Sequence, residues 1–315
     1  MAKYDISIIV VAWNVRELLD ECFTALRNSD DTLSKQIILV DNGSIDDTVA
    51  FVKNKYPEVE LIESPKNLGF IRANNLAYKQ ADAEYILMLN SDAFVYPETL
   101  RLTVNYLRTH PEAGIVGARL IGRDGVLQPS ARYFQTPFKN FLLRIGLDGK
   151  IPFINPLDDM SWDHKSVKEC DWVVGCYLLT RKSLIDKTGF FLRDDFFMYN
   201  DDNDLCLRIR RLGYKTFFYP ADVIHIGGAN IKKMHKVSVG NQVMKYQIES
   251  QMIYYRKNYG ILKVLLNWHF MTLVSVLTIL KRIIKKQGAL SECFEEIKLV
   301  TSITLKTNFG DKSIH

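Results

Sequence analysis

The stretch YDISIIVVAWNVRELLDECFTALRNSDDTLSKQIILVDNGS, residues 4–44, decides how the chain folds. Two short apolar runs rich in β-branched residues, 6–12 and 36–40, flank a segment, 15–27, whose apolar residues recur at helical spacing. Strand, helix, strand in that order is a β-α-β unit, which requires the two strands to run parallel. The pattern continues with strands expected over 59–62 and 84–89 and helices over 46–55 and 68–80. The fold class is therefore α/β, a mostly parallel sheet with helices on both faces.

Sheets of this kind bind ligands where strands end and loops begin. The polar residues that follow each strand are Trp13-Asn14, Asp41-Asn42-Gly43-Ser44, Asn67-Leu68-Gly69-Phe70 and Asn90-Ser91-Asp92. Any one of these is ordinary turn or cap material. Four along one edge mark the edge that matters.

Further along, 114–120 reads as a fifth strand closed by the Gly122-Arg123-Asp124-Gly125 turn, and 133–165 reads as an irregular loop over the site. Residues 171–180 read as one strand running into a helix over 181–187. Strands are expected again at 215–219 and 223–226, the latter carrying His225 and ending in Gly227-Gly228. A histidine in such an apolar alternation is more often a core residue than a ligand.

Between them lies FFMYNDDNDLCLRIRRLGY, residues 196–214, with Asp201, Asp202 and Asp204 crowded together. Leu205, Ile209 and Leu212 form an apolar stripe at helical spacing, so a helix is expected from Asn200 or Asp201 to the Gly213 stop, with the acids on its first turn. Free N–H groups and the helix dipole favour acids there. Asp204 has Arg208 four residues on as a partner. Asp201 and Asp202 have none, and beside Phe196-Phe197-Met198 they repel and desolvate each other. Both effects raise a carboxylate pKa towards the range of a general base, leaving capping and catalysis as open readings of the pair.

Composition narrows the classes. The chain has 315 residues, 47% hydrophobic and 24% charged, which is ordinary for a globular protein. Its five cysteines, Cys22, Cys170, Cys176, Cys206 and Cys293, are odd in number and scattered, which suits a reducing cytosol rather than a disulfide frame or zinc site. The start of the chain lacks the apolar core and cleavage site of a signal peptide, so secretion is not expected. The net charge of +5 is unevenly placed: from Ile231 on, fourteen Lys and Arg face five acids, whereas the first 230 residues are net acidic. An acidic body suits a bound cation, and a basic tail suits a phosphate-rich surface.

A carboxylate at a strand end, Asp92, offers a hard oxygen to Mg²⁺ or Mn²⁺ bridging a nucleoside diphosphate. A second acid can take a proton from an attacking hydroxyl. Neither a G-x-x-x-x-G-K-[ST] loop nor G-x-G-x-x-G after the first strand is present, which removes most kinase, ATPase and dinucleotide readings.

Taken in order, SIIVVAWN, VDNGSIDDT, NLGFIRANN, LMLNSDA, DWVVGCYLLTRKSL, GFFLRDDFFMYNDDNDLCLRIRRLGY and VIHIGG resemble the family 2 inverting glycosyltransferases of GT-A fold, in particular the bacterial rhamnosyltransferase-like subgroup. The likeness spans roughly residues 5 to 230. It implies a nucleotide-sugar site of Ala12, Asn14, Asp41, Asn67, Gly69, Arg72, Asn74, Asn90 and Ser91, with Asp41 holding the base or ribose. It implies an acceptor or sugar pocket lined by Trp172, Gly175 and Cys176, and a metal site of Asp92 and His225 for Mg²⁺ or Mn²⁺. Asp202 is implied as the base and Asp201 as its neighbour. Two positions depart from the family pattern: Asp201 stands where Glu is usual, and Asn90 opens the D-x-D motif. The implied reaction is inverting transfer of a sugar, with L-rhamnose from dTDP-rhamnose as the first expectation, to a hydroxyl of a glycan or polyprenyl-diphosphate-linked acceptor.

The expected organisation is a GT-A domain over 1–230, with nucleotide-sugar binding over about 1–120 and acceptor binding over 121–230, followed by a helical extension over 231–315. Within the extension, 264–280 contains no charged residue and is bracketed by Lys263 and Lys281-Arg282. Asn267, Ser275 and Thr278 lie along one side, so a basic-flanked helix in a membrane interface is the first reading, with core burial, a homo-oligomer contact and spanning as the others. The enzyme would then work in the cytoplasm at the inner face of the membrane. No nucleic-acid partner is expected, because the tail lacks interleaved aromatic and basic residues. A sugar nucleotidyltransferase lacks its Gly-rich basic loop here, and a catalytically impaired scaffold is the remaining rival.

Overall fold

The computed structural model describes residues 2–30, 32–227, 239–286 and 290–314, with backbone only for 239–241. The chain forms two compact units. The first contains Met1–Arg132, Asp158–Asp194 and Asp201–Val237; the second contains Tyr133–Leu157, Asp195–Asn200 and Ser238–His315.

In the first unit Tyr4–Ala12 (β1), Arg16–Arg27 (α1), Lys35–Asp41 (β2), Thr48–Lys55 (α2), Glu60–Glu63 (β3), Phe70–Tyr78 (α3) and Ala83–Asn90 (β4) alternate as the pattern requires. The strands lie in the order β3-β2-β1-β4, all parallel. Ile6, Ile8, Ile9 and Val10 of β1 are fully buried, as a central strand covered on both faces demands. On α1, Leu19, Cys22, Phe23 and Leu26 form the buried face, and Arg27 in the last turn complements the helix dipole.

Beyond β4 the sheet becomes mixed. Ala93–Val95 (β5), Thr99–Thr109 (α4), Ala113–Ile121 (β6), Ala131–Arg132 (β7), Lys168–Cys170 (β8), Trp172–Val173 (β9), Tyr177–Arg181 (β10), Lys182–Thr188 (α6), Asp201–Arg211 (α7) and Lys215–His225 (β11) complete the unit; Pro137–Arg144 (α5) belongs to the second. β10 inserts antiparallel between β4 and β6, and β11 runs parallel to β6. β5 and β8 pair antiparallel with β11.

Four sequence expectations need correction. Residues 171–180 are two strands, because the chain breaks at Val174-Gly175-Cys176 and changes sheets: β9 pairs with β7, and β10 joins the main sheet. The strands expected at 215–219 and 223–226 are the single β11, with a register shift between Phe218 and Asp222. Leu212 is 40% exposed because α7 ends at Arg211, one residue before it. The segment 133–165 contains α5, whose cap Thr136 accepts the Lys139 N–H and whose first position is Pro137. Residues 133–157 accordingly belong to the unit of the C-terminal helices.

The second unit also holds Val239–Tyr259 (α8), Ile261–Lys285 (α9) and Ser291–Lys306 (α10). The boundary expected at 230/231 and the Gly228 stop lie outside the described residues.

One buried ion pair fixes the approach to α7. Arg208 Nε donates to Asp204 Oδ2 at 2.8 Å, as the four-residue spacing suggests, and both side chains are buried. The remaining guanidinium hydrogens reach Thr188 Oγ1 (2.6 Å) and the carbonyls of Phe190 (2.9 Å) and Phe191 (2.6 Å). Removing the cation leaves a buried carboxylate and two carbonyls without this donor. Arg208→Met is therefore expected to lower unfolding free energy by about 3 kcal/mol or more. Urea denaturation checks this, and a loss below about 1 kcal/mol would contradict the lock.

Candidate active site

The carboxyl ends of β1, β2 and β4 carry the polar residues marked from sequence. Asn14 sits in the left-handed region (φ 54°); its N–H donates to Ser44 Oγ at 2.9 Å and its Oδ1 accepts from Ile45 N–H at 2.8 Å. Ala12, the last residue of β1, is registered opposite Asp41. Asp41 Oδ2 accepts from Ser44 N–H at 3.1 Å, whereas Asp41 Oδ1 is buried with no partner. Asp41, Gly43, Ser44, Ile45, Glu63 and Ser64 line a cavity of about 390 Å³. Gly43 has φ 78°, and a Cβ there would stand 2.8 Å from the Lys66 carbonyl carbon, so only glycine lets this loop pass.

Asn42 was not singled out from sequence, yet it braces the next loop. Its Nδ2 donates to Asn67 Oδ1 (3.0 Å) and its Oδ1 accepts from Leu68 N–H (2.7 Å). Asn67 also takes the Gly69 N–H at 2.9 Å, so its side chain is engaged in holding the turn that starts α3. On α3, Arg72 is exposed, whereas Asn74 is buried with its Nδ2 on the Phe70 carbonyl and its Oδ1 unpartnered.

The acidic pair is tied to the end of β4 through β10. Asp202 Oδ2 accepts the Gly175 N–H at 3.0 Å, and its Oδ1 accepts the Asn203 N–H at 2.8 Å. The next carbonyl, that of Cys176, accepts the Asn90 N–H at 3.1 Å. The buried Cys176 thiol has its pKa raised by burial and then by the charges of both Asp92 and Asp202, which flank it. Ser91 and Asp92 follow, both buried. Asp92 faces His225 across 3.6 Å from Oδ1 to Nε2.

Burial raises the pKa of Asp201 well above the carboxylate range, and the charge of Asp202 adds to it. Asp202 is also raised by burial, but the Gly175 and Asn203 N–H groups and the Arg132 cation pull it back. When the pair holds one proton, Asp201 keeps it and Asp202 is the anion. Arg132 lies over the Trp172 ring, 4.5 Å from its centroid, and pairs with Asp158. The residues before α7, Tyr199 (φ 71°) and Asn200 (φ 61°), are both left-handed. For a tyrosine this is uncommon backbone of the kind concentrated at functional sites.

His225 is held by a residue the sequence reading passed over. Gln128 Nε2 donates to the His225 carbonyl at 2.8 Å, so Gln128 Oε1 faces Nδ1, also at 2.8 Å, and takes its proton. The Nε2 lone pair is thereby left facing Asp92. Burial lowers the imidazole pKa more than the Asp92 charge raises it, so the ring is neutral at pH 7. Two acceptors 3.6 Å apart favour a cation between or beside them, and the Gln128 contact is the outer-shell support that metal-binding histidines use. Among the described residues no group of three or more His, Cys, Asp or Glu gathers for a metal. The residues present thus fit a divalent ion that completes its shell with ligand oxygens, the usual arrangement for Mg²⁺ on phosphates.

Gln128 and Arg132 lie just beyond the Gly122–Gly125 turn, in a stretch without periodicity, so their only sequence signal is nearness to that turn. Asn42 carried a signal in VDNGS but competed there with ordinary turn chemistry.

With this geometry in view, residues 7–157 match the model of the family described as Glycosyl transferase family 2. The chain carries a family 2 glycosyltransferase domain. The N-acetylglucosaminyl-diphospho-decaprenol L-rhamnosyltransferase of Mycobacterium tuberculosis (strain CDC 1551 / Oshkosh) is 28% identical over 207 residues, covering 60% of this chain and 66% of that protein. The poly(ribitol-phosphate) beta-glucosyltransferase of Bacillus spizizenii is 33% identical over 138 residues, 42% of this chain and 21% of that protein. The alignments thus span no more than about two thirds of these relatives' length. Among solved structures, the mannosyltransferase PcManGT of Pyrobaculum calidifontis in complex with GDP-Man and Mn²⁺ superposes with TM-score 0.56 at 13% identity, covering 98% of this chain and 88% of that one. That likeness carries the GT-A fold.

The acidic pair costs the fold stability. Asp201 has a folded pKa above its unfolded value, so the folded state loses stability as pH rises from the acid range through that raised pKa. Asp201→Asn is expected to raise the melting temperature at pH 7 and above, with the gain shrinking towards zero as pH falls below about 4. Thermal melts across pH check this; an unchanged or lowered melting temperature at pH 8 would contradict it.

Proposed function

We propose that this chain transfers a sugar from a nucleoside diphosphate donor to an acceptor hydroxyl with inversion at the anomeric carbon, Asp202 acting as general base. The carrying observation is the Asp202 setting: a half-buried carboxylate whose pKa desolvation raises, favoured as an anion by two peptide N–H groups and aimed by them. Asp202 takes the acceptor's proton as that oxygen bonds to the anomeric carbon, and the bond from that carbon to the diphosphate oxygen breaks on the opposite face. Orientation and proton transfer together supply the rate. Asp201 holds its proton and keeps the second negative charge away from the base.

Asp41 Oδ1, a buried acceptor without a partner in a cavity, suits a base that presents an imide or amide N–H. Asn14, Asn67, Gly69 and Asn74 shape the loops around it, and Arg72 supplies an exposed cation for the donor's charge. Asp92 and His225 would hold Mg²⁺ or Mn²⁺, which neutralises the departing diphosphate. With Asn90 in place of an acid, Asp92 is the only carboxylate of that motif. Trp172, Gly175 and Cys176 lie on the Asp202 side and are read as the acceptor wall. The mycobacterial relative, named as an L-rhamnosyltransferase of N-acetylglucosaminyl-diphospho-decaprenol, supports L-rhamnose as the sugar and a lipid-linked glycan as acceptor, with dTDP-rhamnose as the donor we propose. Buried free thiols suit a reducing compartment, which supports a reaction on the cytoplasmic side of the membrane.

Two outcomes test the reading. Asp202→Asn should leave donor affinity within about twofold while lowering turnover by about 10² to 10⁴; calorimetry and product assays separate the two, and near-normal turnover would remove the base assignment. In a panel of sugar nucleotides with Mn²⁺, dTDP-rhamnose should raise the melting temperature most, since only a ligand bound to the folded state stabilises it. A larger shift with a UDP- or GDP-sugar would reassign the donor, and no shift with any would defeat the transfer reading.

A further inference from the structure

Helix α9 is built inside out. Two of its polar residues face the other helices of its unit: Asn267, 1% exposed, donates to Gln251 Oε1 at 3.0 Å, and Ser275, 1% exposed, donates to Glu296 Oε2 at 2.8 Å, whereas His269 is exposed on the opposite side. The large apolar residues face outward. Leu262, Leu266, Val276, Leu277, Leu280 and Ile284 share one side of the helix, and Leu262, Leu280 and Ile284 are 67%, 51% and 81% exposed. The side that the sequence marks with Asn267, Ser275 and Thr278 is thus the inward one; Thr278 bonds back to the Val274 carbonyl. A helix on the surface of a water-soluble domain has the opposite arrangement. An apolar stripe about 33 Å long, at 1.5 Å per residue, requires a cover.

The charges say which cover. The stripe ends among exposed lysines: Lys263 at one end, Lys281, Lys285 and Lys286 at the other, and the helix contains no acid. We propose that α9 docks lengthwise on an anionic phospholipid bilayer, its leucines entering the boundary between headgroups and acyl chains and its lysines meeting lipid phosphates. The helix lies in the surface and does not cross it. Midway along, Ser275 bonds Glu296, which is paired with Arg144, and a spanning orientation would carry that ion pair into hydrocarbon. A second copy is a poorer cover, because two such helices packed antiparallel about a two-fold axis would set the lysines of one end against those of the other.

Flotation of the full chain with vesicles of phosphatidylcholine, with and without phosphatidylglycerol, tests the proposal. The chain should float with the anionic vesicles and much less with the neutral ones. Leu277→Glu/Leu280→Glu should weaken flotation by about tenfold or more, since charge replaces the inserting face. Both side chains are already exposed, so the melting temperature and near-UV circular dichroism should match wild type. Lys281→Glu/Lys285→Glu should abolish the preference for anionic vesicles. Absence of flotation in wild type, or flotation unaffected by the leucine replacements, would overturn the proposal. So would a dimer in light scattering that the leucine replacements dissociate, which would assign the stripe to a second copy. None of these readouts depends on sugar transfer, so either reading can fail alone.

Discussion

One peptide hydrogen bond organises the site: the Gly175 N–H held by Asp202 Oδ2 at 3.0 Å. It is available only because the chain between β9 and β10 leaves the extended ladder at Val174-Gly175-Cys176, freeing one N–H from strand pairing. The neighbouring Cys176 carbonyl takes the Asn90 N–H, and Asn90 leads directly to Asp92. A carboxylate from α7, the turn before β10 and the end of β4 are thereby linked through the peptide groups of two adjacent residues, Gly175 and Cys176. Segments remote in sequence acquire a fixed mutual geometry through one short side chain and the backbone.

Electrostatics then separates the roles of three nearby acids. Asp204 is neutralised by Arg208 inside the unit and serves stability. Asp201 is buried and carries the more strongly raised pKa, which keeps it protonated. Asp202 has donors enough to remain an anion yet is buried enough to want a proton. That graded arrangement is how adjacent carboxyl groups take different tasks. The same logic governs His225, whose Gln128 partner fixes the tautomer and leaves Nε2 open towards Asp92.

The second unit obeys a different rule. Its helices bury hydrogen-bonded amides and hydroxyls, such as Asn267 on Gln251 and Ser275 on Glu296, while α9 turns leucines outward. A hydropathy profile reports only that 261–285 is apolar enough for a membrane. Which side of the helix is covered depends on partners supplied by α5, α8 and α10.

Sequence alone determined what is local and periodic. The β-α-β alternation to β4, the acidic first turn of α7, the Asp204–Arg208 spacing and the turn after β6 follow from patterns of two, 3.6 and four residues, so they were legible. The ordered motifs also named the family, because their chemistry and spacing are jointly rare. The tertiary structure decided the break at Gly175, the antiparallel insertion of β10, the roles of Gln128, Arg132 and Asn42, and the outward face of α9. Each depends on which distant backbone or side chain arrives as a partner. A hydrogen-bond partner 25 to 97 residues away leaves no periodic trace, and an apolar helix reads the same from either side until its neighbours are in place.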